Sequence, residues 1–293
     1  MEYFSSKELK KLTQPQSASN GEDNGQVTII GGSSLFKGAP LFSLKAASRI
    51  VDMVYFSSPE PTLEKVAAYM QADLPSFIWV PFEEVEKYIE KSDAILIGPG
   101  FLRFSSEYSE AKERMELCDE ECQKTRDITK TLLEKFAHKK WVVDAGSLQT
   151  IDPAWLPKNA IVTPNKKEFF MLFGEKLEMG ETISEEVAAT VQAQATKHDC
   201  IIVVKGPETV VASKDKVVVV KGGNAGLTKG GSGDTQAGLT AALLAKNEPF
   251  FAAASAAYLI KASADEIHKR VGVYYNATDV AEEIPRVLAS YQK

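Results

Sequence analysis

Short, continuous apolar runs separated by helical stretches constrain this chain more than any other feature. The runs fall at 27–30, 52–56, 77–80, 94–97, 141–143, 160–163, 201–204, 210–212 and 217–220. Most lack the apolar/polar alternation of a half-exposed strand, so they read as strands covered on both faces. Helical patterns at 41–50, 62–70, 82–90, 106–138, 166–173 and 184–197 lie between them. Strand alternating with helix predicts an α/β three-layer sandwich, with a mainly parallel central sheet flanked by helices. The last three runs are too closely spaced for helical crossovers and predict a hairpin meander at one edge.

Residues 1–26 form a separate N-terminal segment in this reading, a short helix at 5–12 followed by the turn-rich stretch 14–25, and 27–293 form a single domain. Composition matters mainly for what it excludes. A formal net charge of −6, with no Lys/Arg-rich run, argues against a nucleic-acid surface. No apolar run approaches the ~18 residues of a membrane span, and 1–11 carry no apolar signal core, so the expected location is the cytoplasm. Cys118, Cys122 and Cys200 are too few for a disulfide framework; Cys118 and Cys122, four residues apart, are expected to be reduced thiols on a helix face. No cysteine or histidine pair completes a metal site with them.

The glycine-dense stretch 222–238 carries the chemistry. It follows an apolar run and leads into the alanine- and leucine-rich segment 237–245. Strand, glycine turn and helix start together make an anion site, because backbone N–H groups and the positive end of the helix dipole converge there. Asp234 adds a negative charge beside that site. It either caps the helix or faces the cleft, where it would accept a proton from a substrate hydroxyl.

Ligands of open α/β sheets bind beyond the carboxyl ends of the strands. The residues that follow the apolar runs there are Gly98-Pro99-Gly100, Asp144-Ala145-Gly146-Ser147, Thr163-Pro164-Asn165 with Glu168, and Lys205-Gly206-Pro207-Glu208-Thr209. Each has a bland alternative: a tight turn for the glycines, a helix start for Asp144, Asn165 and Glu168, and a surface hairpin for Lys205. As a set they describe a nucleotide-dependent active site.

In order, Gly31-Gly32-Ser33, Gly38-Ala39, Gly98-Pro99-Gly100, Val143-Asp144-Ala145, Thr163-Pro164-Asn165-x-x-Glu168, Lys205-Gly206 and Gly230-Gly231-Ser232-Gly233-Asp234 resemble the ADP/ATP-dependent NAD(P)H-hydrate dehydratases, the carbohydrate-kinase-like branch of the ribokinase-like fold. The resemblance extends to Asn276-Ala277-Thr278-Asp279-Val280. It implies repair of hydrated NADH or NADPH by phosphorylation of the substrate hydroxyl and elimination of phosphate. Asp234 would be the base, Gly231, Ser232 and Gly233 the anion hole, and Lys205, Gly206, Pro207, Glu208 and Thr209, with Gly233, the nucleotide contacts. Ala39, Gly100, Asn165 and Asp234 would line the hydrated dinucleotide. The implied cofactors are ADP or ATP, with Mg²⁺ bound mainly through phosphates and no protein ligand set of its own. A homo-oligomer is implied, and an epimerase on a separate chain. The chain departs from the family pattern at Asn165, Gly146 and 101–103, all on the acceptor side. A ribokinase-like kinase for another alcohol, such as a thiazole alcohol, and a non-catalytic nucleotide-binding relic are the alternatives.

Overall fold

The computed structural model describes residues 1–103 and 118–293. In chain order the elements are β1 (Glu2–Tyr3), β2 (Gln26–Ile30), α1 (Ala39–Ala47), β3 (Met53–Ser57), α2 (Thr62–Met70), β4 (Ile78–Trp79), α3 (Val85–Lys91), β5 (Ala94–Ile97), α4 (Glu120–Lys135), β6 (Lys140–Val143), α5 (Ala145–Thr150), β7 (Ile161–Val162), α6 (Lys166–Phe173), α7 (Glu185–Lys197), β8 (Ile201–Val204), β9 (Thr209–Ala212), β10 (Val217–Val220), α8 (Ser232–Lys246), α9 (Pro249–Val271) and α10 (Ala277–Gln292). The expected helix at 106–138 appears as α4, and the part of it before residue 118 lies outside the described residues.

One sheet holds the strands in the order β1-β10-β9-β8-β7-β6-β5-β2-β3-β4, and β9 alone runs against its neighbours. Alternating side chains explain why the apolar runs are unbroken. Ile29 and Leu96 enter the core on the face covered by α1, α8, α9 and α10, whereas Ile30, Ile95 and Ile97 enter the core on the face covered by α3, α4, α6 and α7. The expected three-layer α/β architecture is therefore what these residues build.

The meander β8-β9-β10 is present, but it is not the edge of the sheet. The first residues of the chain pair in parallel outside β10, Glu2 with Val218 and Tyr3 with Val219. A 3₁₀ turn at Ser6–Lys11 then buries Leu9 in the same core as α9 and α10. A two-residue strand is too short to leave a periodic signal, so the helical turn of this segment could be read from sequence and the strand before it could not.

Cys118 and Cys122 correct the expectation of reduced thiols, because they form a disulfide. Cys118 lies just before the helix, whose N-cap is Asp119, and its Cα is 5.3 Å from that of Cys122, within bridging distance. Among the described residues no helix is long and apolar enough to cross a membrane.

Candidate active site

Because nearly all strands point the same way, the turns after β2, β5, β6, β7, β8 and β10 meet along one rim of the sheet. The start of α8 reaches the same rim from the far side. Gly231 is its N-cap, with a left-handed φ of 93° and no side-chain cap. A Cβ there would meet the Phe42 ring at 2.5 Å, so both conformation and space require glycine. α8 packs closely on α1: the Ser43 hydroxyl donates to the Asp234 carbonyl at 2.8 Å, and a Cβ on Gly238 would lie 2.3 Å from the Ser43 carbonyl oxygen. These contacts set where the first turn of α8, Ser232-Gly233-Asp234, stands. Gly231, not Asp234, is the N-cap residue; Asp234 stands in the first turn, where its carboxyl accepts from its own N–H.

Asp234 belongs to a cluster of three carboxyls and one ammonium. Lys205, at the end of β8, donates to Asp144 at 2.9 Å, and its Nζ is 4.0 Å from Glu168. Asp144, at the end of β6, also accepts from the Thr163 hydroxyl at 2.7 Å. Glu168 accepts from the Gln149 amide at 3.1 Å and from the Asn165 N–H at 2.9 Å. Asn165 in turn caps α6, accepting from the N–H groups of Lys167 and Glu168. It therefore fills both roles the sequence left open, helix start and cleft wall.

The charge balance of this cluster is uneven. Burial pulls the Lys205 ammonium down, but the Asp144 and Glu168 carboxylates outweigh it and hold the ammonium above its ordinary range. Burial pushes the Asp234 carboxyl up to about 7, Asp144 and Glu168 add to the rise, and Lys205 opposes it. Burial also raises Glu168, against the pull of Lys205. Asp234 is thus a carboxyl poised near neutrality, as a general base should be.

A cavity of about 700 Å³ opens beside this cluster, in the size range of small-molecule sites. Lys205, Gly206, Pro207 and Thr209 form one wall, and residues 222–225 the other. Ser232, Gly233 and Gln236 of α8 also line it, as does Asn165. Two groups here are conspicuous: the Ser232 hydroxyl and the Gln236 amide nitrogen are buried without a hydrogen-bond partner among the described residues. Such orphans are costly unless a ligand meets them. Lys205 Nζ stands 3.2 Å from where a Gly233 Cβ would be, so an ammonium lies against the helix N-terminus, an arrangement that favours an anion between them.

The expected site residues divide into two groups. Lys205, Gly206, Pro207, Thr209, Ser232, Gly233 and Asn165 line the cavity. Glu208, between them in sequence, is turned away: its carboxylate accepts from the Ile183 N–H at 2.8 Å and lies 3.6 Å from Lys221. Ala39 and Gly100 sit elsewhere on the rim. A Cβ on Gly100, whose φ is 77°, would fall 2.4 Å from the Phe36 carbonyl oxygen, 3.1 Å from Gly32 and 3.1 Å from Pro40, so the turns after β2 and β5 and the start of α1 meet there. The Gly32 N–H donates to the Pro99 carbonyl at 2.8 Å in the same place.

Sequence reasoning missed Lys261 and Gln236. Gln236 follows the glycine turn by one helical step and was legible in principle as the i+4 neighbour of Ser232. Lys261 sits on a helix with no glycine or strand end beside it, and nothing local marks it.

With this geometry in view, comparison with known proteins is consistent. The family model for NAD(P)H-hydrate dehydratase matches residues 27–286. The ADP-dependent (S)-NAD(P)H-hydrate dehydratase of Cenarchaeum symbiosum is 30% identical, over 92% of this chain and 91% of that protein. The bifunctional NAD(P)H-hydrate repair enzyme of Methanocaldococcus jannaschii is 33% identical over 97% of this chain but 52% of that protein. The chain spans about half the length of several such bifunctional relatives. Among solved structures, the ADP/ATP-dependent NAD(P)H-hydrate dehydratase of Bacillus subtilis, co-crystallised with ATP and Mg²⁺, has the same fold, with a TM-score of 0.78 at 23% identity over 99% of this chain and 98% of that one. A ribokinase-like superfamily protein from Enterococcus faecalis has a TM-score of 0.79 at 24% identity, covering 100% and 97% of the two chains.

Proposed function

The chain belongs to the NAD(P)H-hydrate dehydratase family, and we propose that it removes water from hydrated NADH or NADPH while ADP or ATP is cleaved. The observation that carries this reading is the placement of Asp234, a carboxyl poised near neutrality in the first turn of an anion-binding helix, beside a nucleotide-sized cavity.

In this reading the donor nucleotide occupies the cavity, with its terminal phosphoryl group against Gly231, Ser232 and Gly233. Asp234 takes the proton of the substrate hydroxyl as its oxygen attacks that phosphorus. The bond to the leaving nucleotide breaks, and AMP or ADP departs. The new phosphoester is a far better leaving group than hydroxide. It leaves as phosphate with the C–O electron pair, and loss of a proton from the adjacent ring carbon restores the double bond. Lys205, beside Gly233, is placed to meet charge on the transferring group, while Asp144 holds it in position. Ala39, Gly100 and Asn165 are assigned to the hydrated dinucleotide.

Mg²⁺ fits this site as an ion held through phosphates. Among the described residues no group of three His, Cys, Asp or Glu side chains is arranged for a metal, and Asp144 and Glu168 already serve protein donors. Such an ion would neutralise phosphate charge.

The test is direct. Hydrated NADH is mixed with ADP or ATP and recovery of absorbance at 340 nm is followed. Nucleotide-dependent recovery is expected; turnover of nucleotide with a different alcohol and none with the hydrate would replace this reading with a kinase.

A further inference from the structure

Lys261 lies in the middle of α9, 5% exposed, in a helix otherwise packed by alanine, leucine and isoleucine. Burying an ammonium there is costly, and its position is defined by what it holds. It donates to the carbonyls of Gly206 at 3.0 Å, Pro207 at 2.6 Å and Gly222 at 3.1 Å. An ammonium has three donors and no acceptor, so three carbonyls satisfy it completely. Gly206 and Pro207 belong to the β8–β9 turn, whereas Gly222 opens the glycine-dense segment after β10. Both segments are walls of the 700 Å³ cavity, and Lys261 lines it where their carbonyls come together. One helical turn later, Asp265 accepts from the Gly223 N–H at 2.9 Å and from the Asn224 amide at 3.1 Å, which fixes the second wall to the same helix.

We propose that Lys261 is a positioning residue for the donor nucleotide: by tying the carbonyls of Gly206, Pro207 and Gly222 to one point on α9, it sets the separation of the two walls between which the nucleotide binds. This rests on the reading that the cavity takes the nucleotide.

Protonation state matters to such a tie. Burial pulls the ammonium down to about 8, and the facing carboxylates Asp265 and Glu208 counter only part of the fall. The other titratable groups nearby are Lys221, paired with Glu208, Tyr275, which donates to Asn224, and Glu181 and Lys205, which line the same cavity. A neutral amine has two N–H groups for three carbonyls and turns a lone pair toward the third. Nucleotide affinity therefore falls as pH rises through about 8. The fold itself responds with the opposite sign. The unfolded chain binds this proton more tightly, so between about 8 and the ordinary lysine value of 10.5 stability rises with pH relative to a variant lacking the amine. A purely structural lysine would not produce a loss of ligand affinity together with a gain in stability.

The experiment is calorimetric titration of ADP and ATP into the unaltered protein and Lys261→Met at pH 7 and pH 9. Ionisation of Asp234 is common to both proteins and cancels in the comparison. At pH 7 the variant should bind about tenfold more weakly or worse, with KM for the nucleotide raised more than kcat is lowered. The unaltered protein should lose affinity between pH 7 and pH 9, and the variant should not. Lys261→Ala should regain affinity with n-propylammonium but not with n-propanol, which also decides the matter if Lys261→Met does not fold. Equal affinities for the unaltered protein and Lys261→Met, or parallel pH responses, overturn the proposal, as does Lys261→Ala showing no difference between the two additives. Failure of the unaltered protein to bind either nucleotide overturns the assignment of the cavity, and this proposal with it.

Discussion

The Lys205 ammonium sits 2.9 Å from the Asp144 carboxylate and 4.0 Å from Glu168. Asp234 is raised mainly by its own burial and next by the Asp144 charge, with Lys205 pulling the other way. Burial together with like charge beside it pushes the Asp234 carboxyl up to about 7.

Replacing Asp234 by Asn should lower turnover by about 10²- to 10⁴-fold, the usual worth of a positioned base, and leave nucleotide binding in place. Steady-state assay alongside calorimetric titration separates the two. Retained turnover would remove Asp234 from the mechanism.

The pH profile follows from the same carboxyl. Activity should rise with pH through about 7 as Asp234 ionises. Its folded value lies above the unfolded one of 3.8, so the neutral form is favoured in the folded state. That stability is fully present below pH 3.8 and is lost as pH rises through 7. Asp234→Asn should accordingly be more stable than the unaltered protein at pH 8, by on the order of 1–2 kcal/mol after allowance for solvent screening, and the difference should vanish near pH 4. Thermal unfolding at the two pH values reads it; a gain of the same size at both would place its cause elsewhere.

Lys205→Met removes the partner of a buried carboxylate. A cost of about 3 kcal/mol is expected at neutral pH, because Asp144 is left with the Thr163 hydroxyl alone. In whatever activity persists, the limb assigned to Asp234 should move to higher pH, since Lys205 is what holds that carboxyl down. Urea unfolding and the pH–rate profile supply the two numbers.

Ser232→Ala should separate stability from function. The hydroxyl is buried without a partner among the described residues, so the free protein should lose no more than about 0.5 kcal/mol. Turnover should nevertheless fall about tenfold if the hydroxyl meets the transferred phosphoryl group. An equal loss in stability and activity would mark it as a packing residue.

Alkylation of the denatured chain counts its thiols. Without reductant only Cys200 should react, and with reductant all three cysteines, because Cys118 and Cys122 are bridged. In the folded protein Cys200 should resist, since burial pushes its thiol up to about 12. Mass spectrometry of the labelled protein shows each state.

Much of this was legible in the sequence because it is local. The run Ile201-Ile202-Val203-Val204 reads as a covered strand, Gly230-Gly231-Ser232-Gly233 as a turn that lets backbone donors converge, and Asn165 with Glu168 as a helix start. Each follows from side-chain period, missing Cβ atoms or capping geometry within a few residues. Strand direction then gathers the turns on one rim, so Asp144, Asn165, Lys205 and Asp234 could be named as neighbours before any fold was seen. The two-residue strand at Glu2–Tyr3 was not legible, since its pairing with β10 leaves no period. The bridge between Cys118 and Cys122 was missed because it turns on where α4 begins.

The sequence by itself determined the layers, the order of the turns and most of the polar residues that gather at the strand ends. Only the tertiary structure decided their protonation and their division of labour. Asp234 is held near neutrality because packing buried it beside Asp144 and Glu168, and Glu208 lies outside the cavity lining with its carboxylate on the Ile183 N–H. Lys261 is fixed by three carbonyls from segments far from it along the chain. Charge and burial act through space, over distances at which separation along the chain carries no information.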